Sequence, residues 1–270
     1  MSEPFDLEGR IAVVTGAASG IGAGLARVLA ERGCHLALAD VNEVGLAETA
    51  RQVASNERKV TTHKLDVADR DAVKAFAEEV RAEHGGAHVL INNAGVAVSG
   101  TFEQVSEEDF DWLLSINFHG VVSMTRAFLP LLREADAGHI ANVSSIFGII
   151  APAGQTAYSA SKFGVRGFTD ALRHELAGSS IGVTTIHPGG INTSIAKSAR
   201  VAEDAPPPDF ERIEKALVMP PDQAAHIIVR AIEKRKPRVL VGADAKRAAL
   251  IERLMPSTYW DLVARNFGMK

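Results

Sequence analysis

The sequence predicts an α/β fold: a doubly wound, mainly parallel seven-stranded sheet with helices on both faces. Three observations predict it. Strand-like and helix-like segments alternate from residue 10 onward, which calls for parallel strands joined by crossover helices. The strand segments are short continuous apolar runs, as expected of strands covered on both faces. No internal repeat or long linker divides the 270 residues, and α/β chains of about 250 residues often form one domain. Residues 1–270 are therefore read as a single domain.

Arg10–Thr15 (RIAVVT) is the first strand. Gly20–Arg32 is the first helix, with Ile21, Leu25, Val28 and Leu29 on one stripe. His35–Asp40 (HLALAD) is the second strand, Glu43–Ser55 the second helix and Lys59–Leu65 the third strand. Asp69–His84 is the third helix, and its acidic opening suits the positive end of a helix dipole. His88–Asn92 is the fourth strand. Ser106–Arg133 reads as one long helix, capped by Ser106 near Asp109 and kinked or closed by Pro130. Gly138–Ser144 is the fifth strand, Thr156–Ala177 a long helix, Ile181–His187 the sixth strand and Pro237–Val241 the seventh.

One break in composition runs over Ser194–Asp209 and ends in Ala205-Pro206-Pro207-Pro208. With the residues up to about 215 it reads either as a mobile loop beside the carboxyl ends of the strands, where such folds put ligands, or as a plain surface loop. The stretch from Asp244 to Lys270 carries Leu250, Ile251, Leu254, Met255, Tyr259, Trp260, Leu262, Val263 and Phe267. It reads as a C-terminal extension of one or two amphipathic helices. Such helices could cover a pocket, pack on a second subunit or touch a membrane surface.

Composition excludes several classes. The lone Cys34 permits neither an intrachain disulfide nor a cysteine-based zinc site. The nine histidines form no pair with metal-ligand spacing, so no metal is expected. A net charge of −4 disfavours nucleic acid or an anionic membrane as the main partner. No run approaches the roughly 18 apolar residues that span a bilayer. The start, MSEPFDLEGR, lacks the apolar stretch of a secretory signal. A cytoplasmic protein is the expectation, with an export route that the sequence does not display as the alternative.

The first strand runs straight into Thr15-Gly16-Ala17-Ala18-Ser19-Gly20-Ile21-Gly22, where a helix begins. Glycines let backbone approach a pyrophosphate closely, and free N–H groups at a helix start meet its negative charge. Taken alone, the turn could be a plain tight turn. Its place between first strand and first helix points to a dinucleotide. Asp40 closes the second strand, where a carboxylate can accept hydrogen bonds from both adenosine ribose hydroxyls and repel the 2′-phosphate of NADP. No Lys or Arg lies in the glycine turn or in Val41-Asn42-Glu43, so NAD is preferred. Asp40 could instead cap the next helix. Asp66-Val67 follows the third strand, where an adenine edge would lie. Asn92-Asn93-Ala94-Gly95 ends the fourth. Asn92 is either a strand-to-strand clamp or a ligand contact, and Asn93 is placed near the cofactor.

Tyr158 and Lys162 share one face of a predicted helix, one turn apart. Ser145 ends the fifth strand, and the carboxyl edge of the sheet is where a doubly wound fold gathers ligands. At this point the chain resembles the short-chain dehydrogenase/reductase family, in its short single-domain form. The matching stretches are TGAASGIG at 15–22, DV at 66–67, NNAG at 92–95, Asn117 in SINFHG, Ser145 in NVSS, YSASK at 158–162 and PGGINT at 188–193. They follow the family's order and approximate spacing.

The resemblance implies a Rossmann-like dinucleotide-binding and catalytic domain and an NAD-dependent oxidoreductase. Its catalytic residues would be Tyr158 as general acid/base, Ser145 holding the substrate oxygen, Lys162 on the nicotinamide ribose, and Asn117 holding a water of a proton relay. The cofactor would touch Gly16, Ser19, Gly20, Ile21, Gly22, Asp40, Asp66, Val67, Asn93, Ala94, Gly95, Tyr158 and Lys162. Its nicotinamide end would meet Pro188, Gly189, Ile191 and Thr193. A homo-oligomer is implied too, usually a tetramer packed through the two long helices, or a dimer. Ser144, beside Ser145, is read as structural. A free tyrosine has a pKa of about 10, and a nearby ammonium and a cationic nicotinamide would lower it by roughly 1–3 pH units, toward the range where acid/base catalysis is efficient.

Ile146 to Gln155 is largely apolar and leads to Tyr158, so Phe147 and its neighbours read as one pocket wall. Val96, Ala97 and Val98 read as another, and Ile195 as part of a lid. No Lys or Arg lies on these walls. A mainly apolar secondary alcohol or ketone follows, steroid-, retinoid- or lipid-like. Alternatively, these residues simply pack the core. A small diol or hydroxyketone is a second substrate reading. A regulator that binds NAD without turnover is the alternative from another class.

Overall fold

The structure is a computed structural model describing residues 4–55, 57–206, 209, 211, 215 and 217–266. Its strands are β1 (Ile11–Thr15), β2 (His35–Asp40), β3 (Val60–Lys64), β4 (Val89–Asn92), β5 (Val98–Ser99), β6 (Gly138–Val143), β7 (Ile181–Pro188), β8 (Arg200–Val201) and β9 (Arg238–Val241). The helices are α1 (Gly20–Glu31), α2 (Glu43–Val53), α3 (Arg70–His84), α4 (Glu107–Leu114), α5 (Val121–Glu134), α6 (Thr156–Glu175), α7 (Pro221–Glu233), α8 (Ala243–Leu254) and α9 (Tyr259–Asn266).

Seven strands form one sheet in the order β3-β2-β1-β4-β6-β7-β9. Every pairing in it is parallel. The chain winds outward from β1 to β3, returns to β4 and winds out the other way. This reversal leaves a crevice at the carboxyl ends of β1 and β4, the position that binds ligands in such sheets.

The continuous apolar strands have a direct cause. Successive side chains point to opposite faces of a sheet, and here both faces are covered. Ala12, Val14, Leu36, Leu38, Val89 and Ile91 join one apolar layer with α1 and α7, through Leu25, Leu29, Ile228 and Ile232. Val13, Ala37, Ala39 and Leu90 join the opposite layer with α3 and α5, through Phe76, Val80, Phe128 and Leu132. Each fully buried Leu, Ile or Phe side chain contributes about 1.5–3 kcal/mol by leaving water.

Two expectations need correction. The long helix is not one α-helix: α4 passes into a π-helical turn over Ser115–Gly120 before α5 begins. Such wide turns occur often at functional sites, and this one contains Asn117. Pro130 does not close the helix, which continues to Glu134. Its ring removes the bond to the Arg126 carbonyl, but both residues lie on the exposed face, where water can serve that carbonyl. The Ser106 cap is as expected, its side chain accepting from Asp109 N at 3.1 Å.

Part of the 194–215 loop is held. β8 pairs in parallel with β5, Gln104 Nε2 donates to Asp204 O at 2.8 Å, and the Arg200 guanidinium stacks 3.6 Å over the Trp112 ring while pairing with Asp109. Residues 207, 208, 210 and 212–214 of that loop lie outside the described residues, as does Phe267. The C-terminal extension forms two helices, α8 and α9.

Buried histidines make the fold sensitive to acid. His139 is fully buried. Thr184 Oγ1 donates to Lys236 O, so it accepts from His139 Nε2 at 2.8 Å. Burial pushes the His139 pKa down to about 3, and those of His84 and His187 down to about 4. In the unfolded chain these imidazoles take up protons near pH 6.5. Between that value and pH 3–4 the unfolded state therefore binds more protons, and stability falls as pH falls. The Asp136 carboxyl, held at about 2 by Arg10, loses its contribution only below the ordinary aspartate range. Calorimetric unfolding should show the midpoint dropping steadily between pH 6.5 and 4.5. A flat midpoint across that interval would contradict the neutral-histidine assignment.

Candidate active site

β1 delivers Thr15 to the crevice, and the backbone must then turn within a crowded space. Gly16 has φ +66°, and a Cβ on it would stand 2.9 Å from both Ala94 Cα and Asn93 Nδ2. A Cβ on Gly22 would be 1.9 Å from Gly16 O, and one on Gly20 would be 3.0 Å from Thr193 Cγ2. These glycines let the turn close against β4 and against the Thr193 strip. Ser19 is the N-cap of α1 but its side chain makes no capping bond, and no acidic residue stands in the first turn. The first amides of α1, including those of Ile21 and Gly22, thus lack a side-chain acceptor. A helix start of this kind attracts an anion.

Asp40 is tied to the same turn. Its Oδ2 accepts from Ala18 N at 3.0 Å and its Oδ1 from Asn42 N at 2.9 Å. The cap of α2 is Asn42, accepting from Gly45 N at 3.1 Å, so the reading of Asp40 as that cap is replaced. Each carboxylate oxygen retains further acceptor capacity. Asp66 is exposed and accepts from Ala68 N at 2.9 Å. Val67 is buried against Gly120.

Of the two readings of Asn92, the structure has the clamp. Its Nδ2 donates to Asn142 Oδ1 at 2.8 Å and Thr125 Oγ1 at 3.1 Å, joining β4 to β6 and α5. The Asn93 side chain is also a clamp: Nδ2 donates to Thr15 O at 2.9 Å. Thr15 Oγ1 accepts from Asn93 N and Ala94 N at 3.0 and 3.1 Å. At 93–95 the backbone, the small side chains and Asn93 Oδ1 are left for any ligand.

The structure brings Asn117, Ser145, Tyr158 and Lys162 to one place. Fully buried Asn117 accepts from Val96 N at 2.8 Å and donates to Val96 O at 2.9 Å. A Cβ on Gly95 would stand 3.3 Å from Asn117 Oδ1 and 3.4 Å from Lys162 Nζ. The Lys162 ammonium lies 5.6 Å from the Tyr158 ring centroid and donates to Val143 O at 3.1 Å. The Ser145 hydroxyl lies beside the Tyr158 phenol, where it acts to lower the phenol's pKa, and it accepts from Phe147 N at 3.1 Å. The Phe147 ring meets the Tyr158 ring edge-on, centroids 6.1 Å apart. Ser144 donates to Lys162 O at 2.7 Å, a bond that fits its structural reading.

The protein's own groups, apart from any nicotinamide charge, do not on balance lower the Tyr158 pKa. Burial raises it, and the Ser145 hydroxyl pulls it partly back. Burial also pushes the Lys162 amine down to about 8. Loss of hydration disfavours both charged forms, so the two groups are driven toward neutrality from opposite sides.

Sequence reasoning missed two supports. His187 Nδ1 donates to Ser145 O at 2.9 Å, fixing the backbone that carries the hydroxyl. Its position at the end of a strand was the only signal. Asp244 Oδ2 accepts from Gly190 N at 2.6 Å, and no spacing rule links the two. Ile191 has its side chain in the core at 4% exposure, which leaves its backbone for any ligand. A separate cavity of about 590 Å³ between the start of α6 and Trp260 includes Thr156, Ser159 and Phe163. Ser145 and Tyr158 do not line it.

Comparison with known proteins agrees with this geometry. The family model for short chain dehydrogenase matches residues 10–204. SadH of Mycobacterium tuberculosis is 44% identical over 261 residues, covering 95% of each chain. FabG of Thermotoga maritima, a 3-oxoacyl-(acyl-carrier-protein) reductase, is 34% identical over 223 residues, 83% of this chain and 90% of that one. The solved structure of a short chain dehydrogenase/reductase from Burkholderia phymatum in complex with NAD superposes with a TM-score of 0.86 at 29% identity, covering 93% of this chain and 95% of that one.

The burial of Lys162 is directly measurable. In NMR spectra of protein with 13C-labelled lysine, one side-chain resonance should titrate near pH 8 and vanish in Lys162→Met. Titration of that residue at the ordinary 10.5 would show an amine still in water.

Proposed function

The chain belongs to the short-chain dehydrogenase/reductase family and is an oxidoreductase acting on CH–OH donors, and we propose that it transfers a hydride between NAD(H) and a mainly apolar secondary alcohol or ketone. The observation that carries this reading is the convergence of the Ser145 hydroxyl, the Tyr158 phenol and the Lys162 amine beside Gly95 and the glycine turn.

The residues present fit a dinucleotide. Gly16, Gly20 and Gly22 let the turn pack closely against Asn93, Ala94 and Thr193, and the start of α1 has no side-chain cap. Gly16, Ser19, Gly20, Ile21 and Gly22 would hold the pyrophosphate and Asp40 the adenosine ribose. Asp66, Val67, Asn93, Ala94 and Gly95 would line the adenosine half. Lys162 would hold the second ribose, and Pro188, Gly189, Ile191 and Thr193 the nicotinamide end. NAD is favoured over NADP because Asp40 would repel a 2′-phosphate. Lys64, its register partner on β3, is paired with Glu43 at 2.8 Å. When bound, the nicotinamide supplies the hydride chemistry.

The protein's own part is to place and move a proton. In oxidation, Tyr158 takes the proton of the substrate hydroxyl while Ser145 hydrogen-bonds the same oxygen. In reduction, Tyr158 returns that proton to the carbonyl oxygen. Ser145 and an ammonium at Lys162 favour phenolate, against the opposing effect of burial. A relay through Asn117 would rest on its main-chain carbonyl, because the side-chain amide is committed to Val96. Phe147 and Val96, both partly buried, would supply apolar walls for a substrate of steroid, retinoid or lipid type, whereas Val98, Ile149 and Ile150 pack the core. The loop at about 194–215 is read as the substrate loop of a single dinucleotide-binding and catalytic domain. Homo-oligomerisation and a cytoplasmic location belong to the same proposal. No described helix is long and apolar enough to cross a membrane.

A panel of alcohols and ketones with NAD and NADP tests this. Native protein should turn over an apolar secondary alcohol or its ketone, and Tyr158→Phe should lower kcat/KM by about 10²–10⁴-fold. Undiminished turnover in the variant would remove Tyr158 from the chemistry. Cofactor binding without turnover of any compound would favour a regulator. Asp40→Ala should level or reverse the preference for NAD in a cofactor titration, and an unchanged preference would refute the assigned role of that carboxylate.

A further inference from the structure

The strip from Pro188 to Thr193 leaves β7 and is gripped on several sides. Gly189 N donates to Val241 O at 2.9 Å, Met219 N to Gly190 O at 3.2 Å, and Asn192 N to Met219 O at 2.8 Å. The amide between these, Gly190 N, donates to the Asp244 carboxylate at 2.6 Å. Asp244 lies in the first turn of α8, where a helix favours negative charge. It is half-buried. A Cβ on Gly189 would stand 2.1 Å from Asp244 Oδ2, and one on Gly242 2.3 Å from Oδ1. Both glycines must lack a side chain for this carboxylate to reach the turn. A hydrogen bond to an ionised acceptor is roughly twice as strong as a neutral one, so Asp244 holds the strip more firmly than a backbone carbonyl would.

We propose that Asp244 is a positioning residue of the cofactor site: from the C-terminal extension, its carboxylate sets the Gly189–Gly190 backbone on which the nicotinamide end rests. This rests on the assignment of Pro188–Thr193 to that end. The same extension also supports the segment after Ser145. Ala248 packs with Ile149 and Ile150, and Tyr259 Oη accepts from Ala151 N at 2.9 Å. α8 and α9 thus brace both the cofactor turn and the stretch between Ser145 and Tyr158, and occupancy of the nicotinamide end is transmitted to α8.

The test compares NADH with ADP-ribose, which has the adenosine, pyrophosphate and second ribose but no nicotinamide. In calorimetric titrations, Asp244→Ala should weaken NADH by about tenfold, the equivalent of one lost charge-assisted bond, and leave ADP-ribose within about twofold. Asp244→Asn keeps an acceptor oxygen and should restore most of the NADH affinity. Equal loss for both ligands would mean general loosening and would overturn the proposal, as would no loss for either. Should Asp244→Ala fail to fold, hydrogen exchange on the native protein decides. NADH should slow exchange in 243–254 beyond the effect of ADP-ribose. If NADH protects 188–193 but not 243–254, the role of Asp244 falls and the nicotinamide assignment stands. If NADH and ADP-ribose protect 188–193 equally, that assignment falls, and this proposal with it.

Discussion

The candidate site depends on how closely the backbone of residues 16–22 approaches the end of β4. That approach is set by sterics and sealed by hydrogen bonds. Gly16 and Gly22 have no room for a Cβ, and Asn93 and Thr15 lock the turn to the strand through four bonds of 2.9–3.2 Å. Because Gly95 follows directly, the same contact sets where Asn117 and Lys162 meet the crevice. A larger residue in the turn would displace more than a loop. It would part the glycine turn from the side chains of Asn117 and Lys162 beside Gly95.

The second constraint is desolvation. Lys162 is buried at 3% exposure with Val143 O as the acceptor of its amine, and its pKa falls to about 8. A lysine held that low stays responsive to nearby charge. Tyr158 is raised by the same cause. Two groups displaced toward neutrality in one enclosed space are a common arrangement at reacting sites. Their tuning then depends on small local changes in charge and solvation. His187, neutral and buried, and the capped 3₁₀ turn after Ser145 keep the hydroxyl in register with the phenol.

Much of the fold was legible because both faces of the sheet are covered. IAVVT and HLALAD are short apolar runs of strand length, as buried parallel strands require, and the alternation of helices sets the winding. The motifs of the site were legible for a related reason. A glycine turn between a strand and a helix and a Tyr/Lys pair on one helical face are each local arrangements, within a few residues in sequence. Periodicity gives no warning of the break in the long helix. A π-turn at Ser115–Gly120 keeps the helical pattern while shifting the phase. The covalent effect of Pro130 is visible in the sequence, whereas the solvent-facing position that tolerates it is a tertiary fact.

What the sequence by itself determined, then, is the set of short-range commitments: which segments are strands, where the glycines turn, which side chains share a helical face. Only the tertiary structure decided how distant groups serve one another. Asn92 became a clamp because Asn142 and Thr125 lie opposite it, and Asp244 reached Gly190 across more than fifty residues. Burial weighs against the phenolate at Tyr158. Long-range hydrogen bonds and desolvation depend on what surrounds a group in space, and no local pattern of residues encodes that environment.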